Sequence, residues 1–170
     1  MATEIDHDEI KKKIVAILKA NTSLYTTTGE AGGLRAISVG FPQGTYAATS
    51  LSDAMLPYAY VTNSTGPFET VKSVGAVVSN AILVLEHTFN YDIVVVVLEK
   101  DARAAEILLD EFQKLILQTL EADHSLTGTT TAIVDSSYPS RIDRLRVGTG
   151  DEGKGIKGRV ITIKCMKVTG

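Results

Sequence analysis

Three histidines and one cysteine are the residues of this 170-residue chain best suited to acid–base or nucleophilic chemistry. His7, His87 and His124 stand at no metal-ligand spacing from one another or from Cys165. His7 sits between Asp6 and Asp8 at a helix start, where exposure is expected, and His124 falls in the loop after a long helix. His87, beside Glu86 on a predicted strand, is the one histidine positioned to be a buried acid or base. A base needs a partner in reach, and a structural polar contact is the simpler reading. Cys165 lies between apolar neighbours on another predicted strand, a setting for an inert buried thiol rather than an activated one. No G-x-S-x-G elbow is present.

One glycine-rich stretch, Gly148-Thr149-Gly150-Asp151-Glu152-Gly153-Lys154-Gly155, satisfies the first part of the phosphate-loop pattern G-x-x-x-x-G-K. Gly155 then replaces the Ser or Thr that would hold magnesium. A strand follows where a helix N-terminus should cradle phosphate, and Asp151 and Glu152 would repel it. A glycine-rich hairpin loop fits better. These residues point away from catalysis, and no cofactor or metal is expected.

The elements that carry these residues read in order. Asp6 and Glu9 form a capping-box-like pair, and Ile10, Ile14, Ile17 and Leu18 follow at helical spacing, predicting a helix that ends at Asn21. Residues 21–57 are dominated by Thr, Ser and Gly. Within them, residues 25–56 read as an extended arm holding at most one short strand or hairpin, with Ile37, Val39 and Phe41 on one side as candidate interface residues. Tyr58–Thr62 reads as a strand, then a turn-rich segment around Asn63–Pro67, then strands at Ala81–Leu85 and Phe89–Leu98. The last alternates Phe89, Tyr91, Ile93, Val95 and Val97 with Val94, Val96 and Leu98, so both faces are apolar, as in a covered sheet or at a subunit interface. Asp101 caps a second helix with a broad apolar stripe from Ala105 to Leu120. Thr129–Val134, a weak Arg141–Val147 and Arg159–Val168 close the chain as strands. The order predicts an α+β fold: a mainly antiparallel sheet with two helices packed on it, in one domain over residues 1–170.

Size and charge set the remaining bounds. A chain this long buries enough surface to fold without staples, and a single cysteine excludes an internal disulfide. The N-terminal residues lack a signal-peptide pattern, and no apolar run approaches the roughly 20 residues of a membrane-spanning helix. No membrane association and assembly in a cytoplasm are the expectation. Net charge is −3, unevenly spread. From Arg141 to Gly170 eight basic residues face three acidic ones, an excess of +5 that leaves −8 on the first 140. Arg141, Arg144, Arg146, Lys154 and Lys157 are therefore a candidate interface for an acidic partner rim, or for DNA; solvated lysines on a strand are the simpler alternative.

Taken together, the capped first helix, the loop-rich insert, the Tyr58–Thr62 strand, the run Glu86-His87-Thr88-Phe89-Asn90-Tyr91-Asp92-Ile93-Val94-Val95-Val96-Val97 feeding the helix from Asp101, and the closing strands resemble the tail-terminator (tail-completion, or neck) proteins of tailed bacterial or archaeal viruses. The resemblance covers most of the chain and is a pattern of elements, with no catalytic or binding signature. It implies a virion structural protein without enzymatic activity, assembled in the host cytoplasm. It further implies a homo-oligomeric ring, usually six-fold, that caps the tail tube, ends its polymerisation and joins it to the head–tail connector. DNA would pass through the channel without sequence-specific binding. Another neck or baseplate subunit, an unrelated oligomeric binding protein, or a small enzyme using His87 or the glycine loop are the alternatives.

Overall fold

The computed structural model describes residues 5–26, 32–40, 56–64, 69–77, 82–123, 133–145 and 156–169; of these, 72–77, 82–84, 133–145 and 168–169 are described through the backbone alone. Two helices and six strands make up the described residues, in the order α1 (His7–Ala20), β1 (Ala36–Val39), β2 (Tyr58–Asn63), β3 (Glu69–Val77), β4 (Ile82–Leu98), α2 (Ala102–Ala122), β5 (Ile133–Leu145) and β6 (Ile156–Thr169). The fold is α+β, as its element order predicts.

Both helices begin where an aspartate satisfies an otherwise orphaned amide. Asp6 accepts from the Glu9 N–H at 3.0 Å, and Asp101 accepts from the Ala104 N–H at 2.7 Å. Each buries one stripe: Ile10, Ile14, Ile17 and Leu18 from α1, and Ala105, Leu109, Phe112, Ile116 and Leu120 from α2. The exposed side of α1 carries i,i+4 pairs, Asp8 with Lys12 and Glu9 with Lys13.

All six strands join one sheet with the path β1-β2-β4-β6-β5, and β3 also pairs with β4. Only β1 and β2 run parallel; the other pairings are antiparallel. β4 organises the sheet. On one flank β2 pairs with Ile93 and its neighbours from Tyr91 to Val96, while β3 pairs further back, from Ile82 to Phe89. On the other flank β6 follows β4 from Leu85 to Leu98.

The main core lies between the helices and one sheet face. Phe89, Tyr91, Ile93, Val95 and Val97 of β4 meet Ile161, Ile163 and Cys165 of β6, Ala59 and Val61 of β2, and the stripes of both helices. The opposite face has a smaller cluster of Leu56, Tyr58, Val94, Val96 and Ile156. The double apolar face expected of β4 is therefore real from Phe89 to Val97, with Val94 and Val96 buried on the second face within the subunit and Leu98 exposed at its end.

Several elements differ from the sequence reading. The strands expected at Ala81–Leu85 and Phe89–Leu98 are one 17-residue strand, because β3 and β6 pair with it straight through Glu86–Thr88. β3 was not expected at all: its sequence, ETVKSVGAV, is poor in alternation, and it is bulged between Ser73 and Gly75. Of the closing strands anticipated at Thr129–Val134 and Arg141–Val147, residues 133–134 and 141–145 belong to a single irregular β5, and the rest lie outside the described residues. In the expected arm, Leu34 and Ile37 are buried in the main core, and β1 adds to the sheet beside β2. Gly40 ends β1 at a φ of 69°, a left-handed conformation that a side chain would oppose, while its N–H donates to the Val61 carbonyl. Residues 27–31 and 41–55 of the arm lie outside the described residues.

Candidate functional site

A group of polar side chains gathers at the start of α1, where three elements meet. His87 and Tyr91 are on the helix-facing side of β4, separated by Phe89, and the register places Glu69 of β3 directly across from Phe89. Antiparallel partners share a face, so Glu69 is carried next to both histidines. Its Oε1 lies 3.2 Å from His87 Nδ1, and its Oε2 lies 3.9 Å from His7 Nε2. His7 Nδ1 is 2.8 Å from the Tyr91 hydroxyl. The His7 ring also meets Phe89 edge-on, with centroids 5.2 Å apart.

The electrostatics assign roles within this group. Burial raises the Tyr91 hydroxyl far above the ordinary tyrosine value, so it stays protonated and shares a hydrogen bond with His7 Nδ1 whose direction is set by the His7 tautomer. Burial lowers the affinity of His7 for a proton; Glu69 and Asp6 act against that effect and Lys11 reinforces it. His7 is thus half-buried and engaged rather than solvated as its flanking aspartates suggested, because the α1 N-terminus lies over β4. His87 does have a carboxylate partner, supplied by Glu69 of β3 and not by its neighbour Glu86. Sequence reasoning missed Glu69 because it missed β3; the period-2 spacing of His87, Phe89 and Tyr91 was the available signal.

A second polar group ties β6 to α2. Arg159 is on the helix-covered side of β6, with its side chain only 7% exposed. Nη2 donates to Glu106 Oε2 at 3.0 Å and Nη1 to Gln113 Oε1 at 2.9 Å, and Nη1 also pairs with Asp110. The three acceptors sit at i, i+4 and i+7 along one side of α2, matching the guanidinium fork. On the other sheet face Thr162 donates to buried Asp92 at 2.7 Å. Burial pushes the Cys165 thiol up to about 12, so it remains protonated and unreactive. Among the described residues no group of three or more His, Cys, Asp or Glu could hold a metal ion, and no helix is long and apolar enough to cross a membrane.

Of the candidate interface residues, Ile37, Val39 and Lys157 have described side chains, and each is engaged within the subunit. Ile37 is buried in the main core, and Val39 packs against it half-buried. Lys157 Nζ donates to the Glu99 and Lys100 carbonyls at 3.0 and 3.2 Å, just ahead of α2. Arg141 and Arg144 lie on β5, described through the backbone alone. Phe41, Arg146, Lys154, His124 and the glycine loop lie outside the described residues.

No protein-family model matches the chain, and comparison with curated proteins finds no match.

Proposed function

We propose that the protein is a structural virion subunit that closes into a six-fold ring on the end of a viral tail tube, ends tube growth and offers the opposite surface to the head–tail connector. The observation that supports this reading most directly is the sheet itself. Both helices cover one face, and the pairing path ends at β1 on one flank and at β5 on the other. Among the described residues no strand pairs with the outer side of β5 or of β3. Such edges present rows of backbone donors and acceptors, which a neighbouring copy related by rotation satisfies when the ring closes. The element order, helix then strands then helix then strands, supports the same reading through its likeness to tail-terminator proteins.

Native mass spectrometry and electron microscopy of the protein mixed with a tail-tube protein test the proposal. A ring-sized complex at tube ends is the expected result. Strictly monomeric behaviour together with failure to bind tube ends overturns it.

A further inference from the structure

Basic charge on β5 and β6 meets acidic charge on α2 at one place in the fold. Arg159 of β6 takes one oxygen of Glu106, one of Asp110 and the amide oxygen of Gln113. The register of β5 sets Arg144 directly across from Arg159, and antiparallel partners share a sheet face. Arg144 therefore holds a helix-facing position beside Arg159, and α2 packs against both strands. We propose that this juxtaposition makes Arg144 and Arg159 one ionic clamp, which draws on the acidic side of α2 to hold the end of the edge strand β5 to the helical layer. This inference is independent of ring assembly, because every residue in it belongs to one subunit.

Charge balance is the first support. A guanidinium as buried as that of Arg159 must be paired, and it has two carboxylates for its single positive charge. Arg159 alone therefore leaves one negative charge in excess. Arg103 and Lys114 lie within about one turn of Glu106 and Asp110 on α2, and among the described residues neither forms an ion pair with them. Arg144 restores the balance, two charges of each sign. The converse also holds: two arginines directly across a strand pair repel one another, and a pair of carboxylates above them offsets that repulsion.

The backbone of β5 shows why a tether is needed there. Its ladder to β6 is interrupted between Val134 and Pro139 and again between Pro139 and Arg141, so only residues 141–145 pair without a break, against residues 158–162. Among the described residues nothing pairs with the outer side of β5. A short ladder open on one side is the part of a sheet that opens most easily. Arg144 lies inside that short ladder, one residue from its end.

The two halves of the clamp respond differently to salt. Arg159 is shielded from solvent, so its contacts are screened little, whereas the Glu106 and Asp110 side chains are 42% and 67% exposed. Added salt therefore weakens the contribution of Arg144 on the edge strand first, and it loosens the end of β5 while Arg159 keeps α2 on β6. The basic excess that begins at Arg141 thus acts in part within the subunit instead of on a partner.

Urea unfolding of the full chain and amide hydrogen exchange along β5, each at about 0.05 M and about 1 M potassium chloride, test the clamp. At low salt Arg144→Gln should raise the unfolding equilibrium constant on the order of threefold and speed exchange at residues 141–145, while Arg144→Lys, which keeps the charge, should retain most of the native behaviour. The same Arg144→Gln change should have a smaller effect in a Glu106→Gln or an Asp110→Asn background, and high salt should narrow the difference between Arg144→Gln and the native chain. Native stability and exchange in Arg144→Gln at low salt overturn the proposal, whatever that variant does to assembly. An equal loss in all three backgrounds overturns it as well.

Discussion

Between Phe89 and Val97 β4 is buried on its helix-facing side and, at Val94 and Val96, on the other side as well; between Leu85 and Thr88 the same strand is only half covered. The sequence changes in step, from alternating aromatic and β-branched residues to Glu86, His87 and Thr88. Length explains the difference. A 17-residue strand spans about 55 Å, whereas the 21-residue α2 spans about 30 Å and the 14-residue α1 about 20 Å. Neither helix covers the whole strand, so part of the sheet extends past the helical layer. Val71, across from His87 on the helix-facing side of β3, remains 54% exposed. The polar cluster of His7, Glu69 and His87 stands at the boundary, where the aromatic core ends. One strand thus serves two purposes, and the reach of the covering helices sets where one gives way to the other.

The largest effect that sharpens this comparison comes from the covered half. Phe112 of α2 is 1% exposed in the main core, and Phe112→Ala should cost about 3–5 kcal/mol in urea-induced unfolding, the transfer term plus the cavity left in a close-packed layer. A loss below about 1 kcal/mol would mean that the helical layer is not what buries this half of β4. A smaller effect is expected at the start of the same helix. Asp101→Ala removes the acceptor of the Ala104 amide and should lower the unfolding free energy by about 1 kcal/mol, with the first turn of α2 exchanging its amides faster. The smallest effect belongs to the extended half, where Val71→Ser should change stability by no more than about 0.5 kcal/mol in the isolated subunit. A large loss there in the monomer would show that the hairpin is covered within one subunit and would erase the contrast between the two halves.

Much of the fold was legible in the sequence wherever a local pattern carried it. Asp6 and Asp101 announce the helix starts, and the spacing of Ile10, Ile14 and Leu18 or of Leu109, Phe112 and Ile116 repeats on a helical period. The double-faced run from Phe89 to Val97 was likewise readable as a covered strand. β3 was not readable, because Lys72, Ser73 and Gly75 interrupt its β-branched residues and leave it without alternation. Its strand character comes from pairing with β4. The charge count from Arg141 onward was also incomplete as a guide to surface. Arg159 and Lys157 contribute to the basic excess, yet one is clamped beneath α2 and the other caps carbonyls ahead of it.

The candidate cluster divides along the same line. That His87, Phe89 and Tyr91 share a face follows from the two-residue period of a strand, and that Asp6 begins a helix follows from capping chemistry; both need only neighbours in the chain. That Glu69 meets both His87 and His7, and that Arg159 faces three acceptors on α2, depends on strand register and on which sheet face the helices choose. Those choices join residues 18, 62 and 53 positions apart, set by the burial of the whole aromatic core rather than by any local preference, so only the tertiary structure decided them.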